Sequence, residues 1–137
     1  DNRPSFDESN GVASVLRFVD GLLEEVLSSW RAGDIGAAIG LIDRSSPLSR
    51  EALQPLESSF RAAIQELGPV DSWAIASLET DCGSNRVYRA TYIVYHRNAP
   101  SVVRSEVYRN PTGWTVISFA LVTGDAVREI RHREQCC

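Results

Sequence analysis

The chain changes its hydrophobic period once, near residue 70, and that switch limits the folds open to it. From residue 9 to 67 apolar side chains return at helical spacing. From 72 to 122 they fall into short alternating runs, with turn signals at 82–85, 98–100 and 110–113. Helical spacing hides a stripe of an element, whereas alternation hides one face of a strand. Helices followed by consecutive strands define an α+β plan: N-terminal helices packed against an antiparallel four-stranded sheet. A length of 137 residues suits one domain with its own core.

The first helix carries the clearest signal. Val12, Val15, Leu16, Val19, Leu22, Leu23, Val26, Leu27 and Trp30 follow the i, i+3, i+4, i+7 rule, with Arg17, Asp20, Glu24, Glu25 and Ser28 on the other side. Ser9 or Asn10 is placed to cap its start, so residues 1–8 are expected as a loose arm. Gly33 suits its C-terminal stop and Asp34 the next N-cap. The spacing predicts a second helix over 35–43 and a third ending at Leu67. Pro55 is comfortable only in a first turn, so the body of the third helix is expected to start there, after one turn following Ser49.

Four strands are expected over 72–80, 86–97, 102–109 and 114–122. In the first, Trp73 and Ile75 fall on one face and Ala74, Ala76 and Leu78 on the other. A tight turn pairing Arg97 with Pro100 would set Tyr92 opposite Ser105 and Val94 opposite Val103. One face then holds Ala90, Tyr92, Val94, Val103 and Val107 and closes on the first helix. The opposite face mixes Arg89, Ile93, Tyr95, Arg104 and Glu106, too apolar for idle surface and suited to an interface. The domain is expected over 9–122, with a tail over 123–137.

Composition excludes several classes. An apolar fraction of 43% and a charged fraction of 23% are ordinary for a globular chain. A net charge of −4 argues against a nucleic-acid binder. No apolar run approaches the ~18–20 residues of a membrane span. All 14 basic residues are arginine and methionine is absent. A chain starting at Asp1 fits either removal of a signal peptide, hence export to a periplasmic or secreted location, or a tag trimmed in preparation; a cytoplasmic location stays open. Cys82 can pair with Cys136 or Cys137 in an oxidising compartment, and all three remain thiols in a reducing one. Neither cysteine spacing nor any Cys/His pattern fits a metal site.

Against this background, Ser29-Trp30-Arg31-Ala32-Gly33-Asp34 with Ala37-Ala38 resembles the opening of NTF2-like domains. Leu67-Gly68, Val87-Tyr88-Arg89-Ala90-Thr91-Tyr92, Glu106-Val107-Tyr108-Arg109 and Gly113-Trp114-Thr115-Val116 resemble the later elements of the same family, over about residues 10–122. The resemblance implies a cone, a curved sheet wrapped round the helices with a pocket at its wide end, and dimers formed through the outer sheet face. It implies no single activity, because the family includes enzymes and non-enzymes.

Three side chains are candidates for chemistry. His96 near the end of the longest strand could exchange protons, or be a solvated edge residue. Asp43 could face a pocket mouth as a base, or simply end its helix. Tyr92 could offer a hydroxyl, or be core. With no phosphate loop, HExxH or GxSxG pattern, no cofactor is expected. The reading that follows is a non-enzymatic binding or assembly module, a homodimer through its sheet. The alternatives are a small cofactor-free isomerase or lyase, or a carrier of a small apolar ligand, using the cone; a protein partner is the remaining possibility for the binding module.

Overall fold

The computed structural model describes residues 3–80 and 86–124, with side chains from residue 13 onward. Three helices precede one sheet: α1 (Arg3–Arg31), α2 (Ile35–Arg44), α3 (Arg50–Leu67), then β1 (Val70–Thr80), β2 (Val87–His96), β3 (Pro100–Asn110) and β4 (Gly113–Val122). The strands are antiparallel in the order β1-β2-β3-β4, and the curved sheet does not close on itself. The α+β plan read from the two periods is the plan of the molecule.

Helix boundaries follow their caps. The Asp34 carboxylate accepts from the Ala37 N–H at 3.1 Å, and the Ser49 hydroxyl accepts from the Ala52 N–H at 3.2 Å. Two boundaries differ from expectation. Helix α1 begins at Arg3, so most of the segment read as an arm is helical; Pro4 sits in its first turn, where a missing N–H costs no helix bond. Helix α3 begins at Arg50, so Pro55 lies inside it rather than at its start. The Ser49 cap and the burial of Leu53 and Leu56 on either side of Pro55 offset the one hydrogen bond that proline cannot donate.

The core is the predicted stripe of α1 closed by the predicted face of the sheet. Val15, Val19, Leu23, Val26, Leu27 and Trp30 are fully buried, with Ala90, Val94, Val103 and Val107 opposite them. Trp30 stacks on Phe60 of α3 with ring centroids 4.5 Å apart, and its indole N–H donates to the Phe60 carbonyl at 3.1 Å.

The β2–β3 register corrects the sequence reading by two residues. Tyr92 pairs with Val103 and Val94 with Ser101. The turn is longer than expected because its backbone is tied to the end of α3: Arg97 N–H donates to Pro69 O at 3.0 Å and Asn98 N–H to Leu67 O at 2.9 Å. Gly68, at φ 93°, lets this loop approach; a Cβ there would sit 3.2 Å from the Arg97 Cβ. An even shift keeps every side chain on its expected face. Strand β1 is different. A bulge between Ile75 and Ser77 resets the alternation, so Leu78 pairs with Ala90 and packs on the core instead of facing away from Trp73.

Truncating the central side chain tests this assembly. Trp30→Ala is expected to lower unfolding free energy by about 3–5 kcal/mol, read as a drop in the urea midpoint followed by circular dichroism, with the slope of the transition unchanged.

Candidate functional site

The three residues singled out for chemistry do not converge. His96 belongs to the core-facing row of β2 and is buried, 6% exposed, where a solvated edge had been the competing expectation. The tight turn after β2 is what would have exposed it; the longer loop folds it inward. Its Nδ1 lies 2.9 Å from the Gly68 carbonyl, so Nδ1 carries the proton and donates. Its Nε2, 2.8 Å from the Ser101 hydroxyl, then accepts. The ring meets Trp30 edge-on at 5.1 Å. Burial holds the imidazole below the usual histidine range, against smaller opposing effects of the Gly68 carbonyl and the Asp71 charge. Both nitrogens are thus committed to the joint between α3, β2 and β3.

Asp43 is exposed on α2. It borders a hollow of about 340 Å³ between α2 and α3, with Gly36, Gly40, Arg50, Leu53 and Glu57.

Tyr92 has a more organised setting. Its ring is buried and its hydroxyl reaches the α1 side, donating to the Asp20 carboxylate. Burial first, then that hydrogen bond and the negative charges of Asp20 and Glu24, push its ionisation far above the ordinary tyrosine range. The hydroxyl therefore stays protonated and acts as a donor. Around it, Asp20, Gly21 and Glu24 from α1, Trp73, Ala74 and Ile75 from β1, and Tyr92 from β2 line an open groove of about 480 Å³. The Trp73 indole N–H donates to Glu24 at 3.3 Å, and the Arg31 guanidinium carbon lies 4.9 Å from the centre of the Trp73 ring. The groove presents two carboxylates between two aromatic rings, chemistry suited to a cation.

Sequence reasoning placed Asp20 and Glu24 on the solvated side of α1 and did not join them to Trp73. One sign was available: Gly21, a poor helix former, in the middle of the best-patterned helix of the chain.

The expected interface residues Arg89, Ile93, Tyr95, Arg104 and Glu106 do share the outer side of the sheet, since Arg89 pairs with Glu106 and Thr91 with Arg104. The charges are already partly organised. Arg89 donates to Glu106 through Nε at 3.0 Å and Nη2 at 2.9 Å, and lies 3.6 Å from Glu79 across β1. At their partial exposure such contacts contribute about 0–1 kcal/mol each. Arg104 takes no part in an ion pair among the described residues. Tyr95 is 46% exposed, whereas Val102 and Thr91 on the same side are buried. The cysteine pairing read from Cys82, Cys136 and Cys137 lies outside the described residues, as does the tail from residue 125 onward. Among those described, no cluster of side chains could hold a metal ion, and no helix is long and apolar enough to cross a membrane.

No family model matches the chain, and no curated protein matches it in sequence. Among solved structures, it is similar to the intermembrane space region of the chloroplast protein ARC6, at 11% identity and a TM-score of 0.46, over 79% of this chain and 96% of that one.

The burial of His96 has a measurable consequence. Because its folded-state affinity for protons is lowered, the unfolded chain binds the proton more readily; the stabilisation is complete above the unfolded pKa of about 6.5 and is lost as pH falls below it. Urea unfolding at pH 7.5 and at pH 5.5 is expected to show lower stability at the acid value, and His96→Gln is expected to flatten that difference.

Proposed function

We propose that this chain is a non-enzymatic binding and assembly module of NTF2-like type, which pairs with a second copy through the outer face of its sheet. The observation that carries the reading is the composition of that face. Tyr95 and Ile93 offer apolar contact, Arg104 is in no ion pair among the described residues, and the Glu79–Arg89–Glu106 ladder carries one net negative charge beside it. A two-fold axis brings the same patch to itself, so the Arg104 of one copy can meet the acidic ladder of the other. Ion pairs already formed within the ladder hold its carboxylates in place, which limits the side-chain ordering that pairing would require.

The enzymatic reading draws less support. His96 is neutral, buried and hydrogen-bonded through both nitrogens, and Asp43 is exposed on a different element. Neither approaches a geometry for proton transfer to a bound molecule, which requires the group within hydrogen-bond reach of the reacting atom. On the helical side of the sheet, where a small apolar ligand would have to lodge, Trp30, Phe60, Leu23 and Leu27 are fully buried, and the open groove beside them is lined by the carboxylates of Asp20 and Glu24.

Sedimentation equilibrium of the chain is expected to give a dimer, and Arg104→Glu is expected to shift it to monomer with an unchanged circular dichroism spectrum. A monomer at the highest soluble concentration of the unaltered chain would overturn the pairing.

A further inference from the structure

Three observations meet at one edge of the sheet. The first is the edge itself. Strand β1 is outermost, and from Ser72 to Ser77 every residue but Trp73 is exposed. This stretch contains no charge and no proline, two of the devices that keep free edges from pairing. Among the described residues, no backbone hydrogen bond reaches β1 from its outer side. The other edge is treated differently: on β4, the Val116 N–H donates to the Ser45 carbonyl at 2.9 Å and the Thr115 hydroxyl to the same oxygen at 3.3 Å. The bulge after Ile75 leaves Ser72–Ile75 as the regular stretch beside the groove.

The second observation is the charge of that groove. Asp20 and Glu24 stand one helical turn apart on α1, facing Trp73 and Tyr92. Trp73 already holds a guanidinium, that of Arg31, against its ring. The third is Gly21. A mid-helix glycine costs roughly 0.5–1 kcal/mol relative to alanine. Close packing does not account for it, since a Cβ there would meet nothing within 4 Å. What its missing side chain leaves open is the groove.

We propose that β1 receives an extended basic segment of a partner protein as a fifth strand, one arginine or lysine of which lies in the groove between Asp20, Glu24 and the Trp73 ring. Main-chain hydrogen bonds to Ser72–Ile75 supply the pairing, and the groove selects the side chain. Side chains of an added strand alternate between faces. The basic residue therefore points toward α1, and its immediate neighbours point to the outer face. The β1 edge and its groove are a different surface from the face proposed for self-pairing, so either can fail alone.

The test uses the full chain and a displayed library of random nonapeptides. Selected peptides are expected to be enriched in arginine or lysine. Titrated into isotope-labelled protein, they are expected to shift amide signals of residues 20–24 and 72–75. Gly21→Leu should retain or raise thermal stability, because leucine is the better helix former, yet weaken binding by about tenfold or more. The double variant Asp20→Asn, Glu24→Gln should weaken it similarly. Recovery of no peptide, enrichment without basic residues, shifts confined to the Tyr95 and Arg104 face, or an affinity unaltered by Gly21→Leu would each overturn the proposal. Loss of the dimer in the sedimentation experiment would leave this titration readable.

Discussion

The packing of Trp30 is the constraint on which the rest of the molecule depends. It is the last large residue of the α1 stripe, fully buried, and it touches both partners that α1 must find. One contact, stacking and a hydrogen bond to Phe60, fixes α1 against α3. The other, the edge of His96, fixes the end of β2 beneath it. His96 in turn joins Gly68 at the end of α3 to Ser101 at the start of β3. A single indole thus sets the distance between helices and sheet at the end of the domain where the chain passes from one to the other. Large aromatic side chains suit this position because they combine broad apolar contact with one directed polar group.

That arrangement separates what was legible in the sequence from what was not. The stripe from Val15 to Trp30 and the face from Ala90 to Val107 follow from periodicity alone, because burial of a regular element repeats with the element. The fate of His96 does not. It depends on whether the turn after it is tight or long, and the length is set by hydrogen bonds from Arg97 and Asn98 to residues of the α3 end, about thirty positions back in sequence. The expected solvated histidine and the expected register are therefore one error with one cause. Leu78 was misplaced for a related reason. A single additional residue in β1 reverses parity, and nothing in Ala-Ile-Ala-Ser announces a bulge.

Pro55 shows the opposite balance. Its local rule is strong, yet tertiary burial of Leu53 and Leu56 carries the helix through it. The groove lies between these cases. Its carboxylates and rings come from α1, β1 and β2, so no local pattern joins them. Of the residues that line it, Gly21 is the one that disturbs a local pattern, and it does so in the direction of lower helix stability. Local rules that fail at the centre of an otherwise consistent helix point to sites where the sequence serves something besides folding.

The two proposed surfaces make opposite use of charge. On the outer face Arg89 is neutralised within the chain by Glu79 and Glu106, and Arg104, beside that ladder on the same face, is in no ion pair among the described residues, which leaves it open to the ladder of a second copy. Such a patch is complementary to itself. In the groove, the donors to Asp20 and Glu24 among the described residues are neutral, the Tyr92 hydroxyl and the Trp73 indole, which orient the carboxylates without cancelling their charge. Such a site repels its own copy and favours a cation. Self-pairing through one face and capture of a basic segment at the edge are thus compatible on one sheet, because side chains of the first project from its face while the backbone of the second runs along its border.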